Sequence, residues 1–452
     1  LQDKDFRNEK GETLLHRAVA ARVSLDVMRF LIREQIPLEA EDASGHTALD
    51  KALVPGWPEG FEFLVHSGAS QASPTLALKF YETHGKGSEK RRKAFKTLES
   101  RHQALRWFMS LERCLPGKKP QKEDSERIQS ARHGPRFLPY GLRKQILTPE
   151  GQWIPFQNSE ESNHLVARAT QGSDTFYFKV YPELPGLEAA VSLFTQKFLG
   201  FGAPYSDVCM IRGVPVLVSQ GIEGTSLAEH LIRKSPELSL LETSRVVGLM
   251  LAASLINPED GKPANYIVEA VGSQSGTHHY QLIGVDNDHA FVPAVVRETP
   301  QKDWKGTLVP TAQVKTILFC LDAMKSPIDA ALRTRIINQK LDLFLIPWLR
   351  ELRHVHRSLA GLVSETEFWT LYKKHHTYLG VPFRSGALRH LYDKHRKMVE
   401  LLTHNPDCTP MDILYSLEPH LAKRYDRAFQ EGIQDVAERF KRVDHPFYAT
   451  TP

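Results

Sequence analysis

The chain has 452 residues, 41% of them hydrophobic and 25% charged, with a formal net charge of +5. That length exceeds one ordinary core and predicts two or three domains, while the composition excludes collagen-like, mucin-like and prion-like classes. A balance this close to neutral gives no reason to expect nucleic acid as a partner.

Cys114, Cys209, Cys320 and Cys408 lie far apart without CxxC or Cys/His ligand spacing. This argues against a disulfide framework and a structural zinc, and fits a reducing compartment. The start, Leu1-Gln2-Asp3-Lys4, is charged, and no apolar run of about 18 residues appears. Neither a signal peptide nor a membrane span is expected, and a cytoplasmic setting is.

The first elements repeat. Residues 8–18 and 42–52 align with an offset of 34, so that Gly11 matches Gly45, Thr13 matches Thr47 and Ala18 matches Ala52. Gly supplies a tight turn, Thr caps a helix, and a small Ala lets two helices pack closely. The pattern resembles the ankyrin repeat, with its period of about 33 and its Thr-Pro-Leu-His-x-Ala motif. Leu14 and Ala48 stand where that family has Pro, and Asp50 where it has His. The resemblance implies helix pairs over residues 1–80 and a protein partner, with no third unit evident.

Residues 81–135 read as a helical and basic linker. Stretches 83–93 and 115–135 lack an apolar period, and Phe95, Leu98, Leu105, Phe108, Met109 and Leu111 mark one amphipathic helix between them. Lys86, Lys90, Arg91, Arg92, Lys93 and Lys96 form a cationic run. It reads as a solvated face, or as a peripheral contact with an anionic membrane.

From residue 136 to 224 short β-type runs dominate. Leu165–Thr170 and Thr175–Tyr181 flank a polar turn and predict a hairpin that carries Lys179. Glu188 opens the next helix, placed to hold that lysine in an ion pair. Val214-Pro-Val-Leu-Val-Ser-Gln-Gly-Ile then runs toward a hinge, with Ile222 as a candidate adenine contact.

From 225 to 365 helical periods take over, interrupted by a distinctive module. Asp260-Gly-Lys-Pro-Ala-Asn265 is followed by a β-run from Tyr266, a turn at Gly272-Ser-Gln-Ser-Gly, a second β-run from Tyr280, and Asp286-Asn-Asp-His. Phosphoryl transfer requires a cation on the phosphates, carboxylate and amide oxygens on Mg²⁺, and a carboxylate beside the attacking hydroxyl. Lys179, then Asn265 with Asp286, then Asp260 supply those parts in that order. A hairpin between Asn265 and Asp286 brings both to the same end, around a shared metal.

Asp260–Asn265 resembles the Asp-Leu-Lys-Pro-x-Asn loop of serine/threonine protein kinases, which implies that Lys262 touches the transferred phosphate. Other features are similar to phosphatidylinositol 3- and 4-kinases and actin-fragmin kinase. No Gly-x-Gly-x-x-Gly precedes Lys179, and the nucleotide loop is expected at Asn158-Ser-Glu-Glu-Ser, with Ser159 as a phosphate contact. Pro258 stands where the family has His, and Asp288 where the metal segment has Gly. Asp288 is expected either to assist the second metal or to mark a divergent, inactive copy.

The implied fold is α+β: a short all-α ankyrin unit, then a bilobal domain like those of protein and phosphoinositide kinases, with a helical C-terminal extension over 366–452. ATP and Mg²⁺ are the implied cofactors. After Asp286, the activation-segment position holds Arg297, Lys302 and Lys305, suited to a phosphorylated lipid headgroup, with Trp304 between the lysines. No Ala-Pro-Glu closing motif follows, which tilts the expectation to a lipid kinase. An atypical protein kinase, or a pseudokinase serving an ankyrin scaffold, stays open. An ankyrin unit joined to such a domain also resembles effectors that intracellular bacteria inject into host cells, which implies the host cytosol and the surface of host membranes.

Overall fold

The computed structural model describes residues 6–85, 88–102, 157–158, 166–171, 174–211, 213–274, 277–296, 311–339, 344–384 and 386–443. Ser159, Arg297, Lys302, Trp304 and Lys305 lie outside the described residues. The chain divides into two compact units, one of Leu1–Arg113 with Leu388–Glu400, the other of Cys114–Ala387 with Leu401–Pro452.

The first unit is all helical. Helices α1 (Leu14–Ala20) and α2 (Leu25–Arg33) form one pair, α3 (Ala48–Leu53) and α4 (Pro58–His66) a second. The 34-residue offset read from the sequence is visible in the caps. Thr13 and Thr47 each cap a helix and complete a capping box, with His16 and Asp50 returning the hydrogen bond. Gly11 and Gly45 both adopt a φ of +69°, the left-handed turn that favours glycine. Between the pairs, Lys51 Nζ bridges Glu12 (3.0 Å) and Asp42 (2.7 Å).

A third pair follows, α5 (Pro74–His84) and α6 (Glu89–Arg101). This corrects the expectation that 83–93 is linker: α6 begins at Glu89, with Ser88 as its cap. Its cationic run is rich in good helix formers, and Arg91 pairs with Glu62 at 3.1 Å while Ala94, Phe95 and Leu98 are buried. The unit's core gathers Leu15, Met28, Leu49, Phe61, Leu64 and Phe80 with these residues.

The second unit is mixed α+β, a set of helices with small sheets. Its larger sheet holds β1 (Gln157–Asn158), β2 (Val166–Gln171), β3 (Asp174–Val180), β4 (Ser206–Ile211) and β5 (Val214–Gln220), in the order β1-β2-β3-β5-β4 with antiparallel pairing. The expected hairpin is β2–β3, which pairs Val166 with Lys179. Strand alternation sends Phe176 and Phe178 into the core with Val216 and Val218, and leaves Tyr177 and Lys179 on the opposite face.

Helix α7 (Pro185–Leu199) joins β3 to β4, and all but three of its fifteen residues are buried. Its first turn lies against the backbone of residue 380: a Cβ on Gly186 would stand 1.8 Å from the Gly380 carbonyl oxygen. Gly186→Ala is therefore expected to cost about 1–3 kcal/mol of stability, read as a lower denaturant midpoint at unchanged slope. An unchanged midpoint would show that the two backbones are not apposed.

The remaining strands are β6 (Thr225–Ser226), β7 (Tyr266–Gln274) and β8 (Thr277–Gly284), forming one sheet, and the pair β9 (Val295–Val296) and β10 (Thr311–Ala312). The turn expected at Gly272–Gly276 is shorter: β7 continues through a register shift near Gly272 to Gln274. Helices α8 (Leu227–Arg233) and α9 (Thr243–Ile256) precede this hairpin, and α9 is buried from Val246 to its end.

Helices α10 (Ala330–Ile337), α11 (Leu345–Ala360), α12 (Glu365–His375), α13 (Ala387–His404), α14 (Pro410–Leu417), α15 (Pro419–Gln430) and α16 (Val436–Val443) complete the described chain. The stretch expected as one C-terminal extension is divided, since Leu388–Glu400 of α13 belongs to the first unit and 401–452 to the second. Among the described residues no helix is long and apolar enough to cross a membrane.

Candidate phosphotransfer site

Three elements of the second unit converge on one cluster. The outward face of β3 presents Lys179, the first turn of α7 presents Glu188, and the segment after β8 presents Asp286 and Asp288. Lys179 Nζ donates to Asp286 Oδ1 at 2.5 Å and to Asp288 Oδ2 at 3.1 Å. Glu188, Asp286 and Asp288 each turn a carboxylate oxygen into the cluster, all within 4.8 Å of one another. Glu188 and Asp288 are buried, while Asp286 is more open.

The chain reaches this geometry by local means. Tyr266 pairs with Gly284, and Val285 N–H donates to the Asn265 carbonyl at 2.8 Å, so both ends of the hairpin close together. Asp286 has a φ of +57°, a left-handed conformation that Asp and Asn tolerate better than other side chains. That turn directs its carboxylate to Lys179.

The ion pair expected between Lys179 and Glu188 is not formed; the lysine bonds to Asp286 and Asp288. The reason is electrostatic. Burial, together with the neighbouring Asp288 and Asp286 carboxylates, pushes Glu188 up to about 8, against a weaker opposing pull from Lys179. A protonated Glu188 is a poor partner for an ammonium. Burial alone would lower Lys179, but Asp288 and Asp286 outweigh it and hold the amine above the ordinary lysine value. Glu188 Oε2 is buried without a hydrogen-bond partner, which is costly unless another group supplies one.

That orphaned oxygen tests whether a metal fits. A hard divalent cation takes carboxylate oxygens at close range, and the three acids offer it one oxygen each within 4.8 Å of one another. Metal binding would draw the proton from Glu188 and satisfy Oε2 in one event.

A second group forms at the loop before β7. Lys262 Nζ donates to Asp260 Oδ2 at 2.8 Å, and Asn265 Nδ2 donates to the Asp260 carbonyl oxygen at 2.7 Å and to Asp260 Oδ2 at 3.4 Å. Asn265 is buried, whereas Asp260 and Lys262 are about half exposed. The loop is held from beneath, with Gly261 N–H on the Lys315 carbonyl and Ile317 N–H on the Gly261 carbonyl, each at 2.8 Å. Thus the structure joins Lys179, Glu188, Asp286 and Asp288 in one cluster, and Asp260, Lys262 and Asn265 in another. The Val285–Asn265 backbone bond links them. Asn265, expected among the metal ligands, commits its amide nitrogen to Asp260. Ile222 is half-buried beyond the end of β5 and belongs to neither cluster.

His289 was missed by sequence reasoning. Its Nε2 lies 3.5 Å from Glu183 Oε2 and 3.9 Å from Asp288 Oδ1, and its Nδ1 3.9 Å from Glu259 Oε2. Its position one residue beyond Asp288 was the available signal.

No family model matches the chain, and no curated protein does. Among solved structures it is similar to a Helicobacter pylori proinflammatory kinase, CtkA, at 9% identity over 62% of this chain and 98% of that one, with a TM-score of 0.24.

Proposed function

We propose that the second unit is an ATP- and Mg²⁺-dependent phosphotransferase of the kinase-like type, and that its acceptor is a protein hydroxyl. The observation that carries the reading is the convergence of Lys179, Glu188, Asp286 and Asp288, with one buried carboxylate oxygen unpartnered. The order of elements supports it: a hairpin bearing the lysine, a buried helix bearing the glutamate, two further strands, then a loop and a hairpin that end on the aspartates.

In this reading Asp286, Asp288 and Glu188 would hold Mg²⁺, and Lys179 would bind the nucleotide phosphates. Bound Mg²⁺ supplies charge stabilisation to the phosphoryl group in flight. Asp260 accepts the proton of the attacking hydroxyl, and Lys262, already paired with it, steadies the transferred phosphate. The Asp260–Lys262 pair is what favours a protein acceptor, because it matches the protein-kinase-like loop. The cations expected to read a lipid headgroup lie outside the described residues. We further propose that the helical pairs of the first unit are ankyrin-type repeats that recruit a protein partner.

The test is incubation with γ-labelled ATP and Mg²⁺ against a cell lysate and a phosphoinositide panel in parallel. Label in protein bands is expected. Label confined to lipid would reassign the acceptor, and label in neither would reject the activity.

A further inference from the structure

Lys179 and Glu188 are joined by the short stretch from Val180 to Leu187, so the cluster's geometry depends on what fixes that connection. Its first residue beyond the strand, Tyr181, has a φ of +50°, unfavourable for an aromatic residue and maintained only by its surroundings. One restraint is internal to the sheet: Tyr181 N–H donates to the Pro215 carbonyl at 3.0 Å.

The others come from one distant segment. The His375 ring lies face to face on the Tyr181 ring, with centroids 3.7 Å apart and planes 5° from parallel. Three residues past the end of α12, Tyr378 N–H donates to the Glu183 carbonyl at 2.9 Å. The Gly380 carbonyl then occupies the space beside Gly186. Three successive contacts from residues 375–380 therefore run along the connection, from the lysine's strand to the glutamate's helix.

Helix α12, which presents His375, buries none of its own residues and is closed at its start by a Ser364–Glu367 capping box. Its placement in the fold therefore rests on ring contacts at its surface: the His375–Tyr181 stack, and Phe368 and Tyr372 edge to face with the buried Tyr378.

We infer that His375 is a positioning residue: by stacking on Tyr181 it fixes the turn after β3 and thereby sets Lys179 against the metal-bound phosphates. The inference rests on the phosphotransferase reading above. His375 touches neither Lys179 nor the carboxylates, so its removal should misalign the lysine without emptying the site.

The experiment compares His375→Ala, His375→Phe and Tyr181→Gly with the wild-type chain, using whichever acceptor the labelling assay identifies and following kcat, the KM values for MgATP and for the acceptor, and the melting temperature. His375→Ala is expected to lower kcat roughly tenfold, the scale of a modest misalignment, while KM for the acceptor stays unchanged. His375→Phe, which keeps a flat ring, is expected to restore kcat. Tyr181→Gly removes the ring and should match His375→Ala in kcat even though it relieves the backbone strain. Equal kcat in all four proteins would overturn the inference, as would a loss in His375→Phe equal to that in His375→Ala. If the wild-type chain transfers no phosphate, the site reading fails first. In that event the stack is tested alone, by hydrogen exchange at 180–184: no faster exchange in His375→Ala would overturn the brace.

Discussion

Asp286→Asn is expected to lower phosphoryl transfer by on the order of 10³-fold or more, the scale seen when a charge-stabilising group is removed from such reactions, while the protein stays folded. Asn is the informative choice. It keeps the size of the side chain and tolerates the left-handed backbone found at Asp286, so what is lost is the charge. Lys179 retains Asp288 at 3.1 Å as its counter-ion and is not stranded in the interior. The check is the initial rate of label transfer alongside the far-UV spectrum and melting temperature. Wild-type transfer by Asp286→Asn would remove this carboxylate from the chemistry.

Glu188→Gln is expected to change how stability varies with pH. The Glu188 carboxyl titrates near 8 in the folded protein, against an ordinary value of 4.5. Between those values the folded chain holds a proton that the unfolded chain has released, so this group's stabilisation is complete below about 4.5 and declines as pH rises toward 8. At about 1.4 kcal/mol per unit, the loss across the window amounts to a few kcal/mol. Gln carries no proton to lose. Denaturant midpoints measured from pH 5 to 8 should therefore fall in the wild-type chain relative to Glu188→Gln, and added Mg²⁺ should offset part of that fall by binding the ionised form. Parallel profiles would show that Glu188 is not the buried, protonated group described above.

The parts of this site were legible in the sequence to different degrees. Lys179 was visible because a cation inside an aromatic strand is anomalous, and Asp286 because a hairpin separates it from Asn265 by a fixed geometry. Asp288 entered only as a departure from a motif, yet it is buried and within 3.1 Å of the lysine. The state of Glu188 was not legible: whether a glutamate pairs with a lysine or stays neutral depends on how deeply its helix is buried and on which acids face it, and neither follows from spacing. The role of His375 was not legible either, since no local pattern marks a stack with a residue so remote in the chain. In the first unit, the helix expected around Phe95 and Leu98 begins earlier, within the cationic run. Ser88-Glu89 was its start signal, as Ser73-Pro74 was for α5, but residues 83–93 carry no apolar period.

The most direct test of the metal–nucleotide cluster is the melting temperature of the wild-type chain with Mg²⁺, a non-hydrolysable ATP analogue, or both, repeated with Asp286→Asn. At about 100 times the dissociation constant, a ligand specific to the folded state adds about 2.7 kcal/mol. The transition of the wild-type chain should therefore rise furthest, by several degrees, when metal and nucleotide are present together, and that added rise should vanish in Asp286→Asn. No rise in the wild-type chain, or an equal rise in both proteins, would contradict a shared site built on Lys179, Glu188, Asp286 and Asp288.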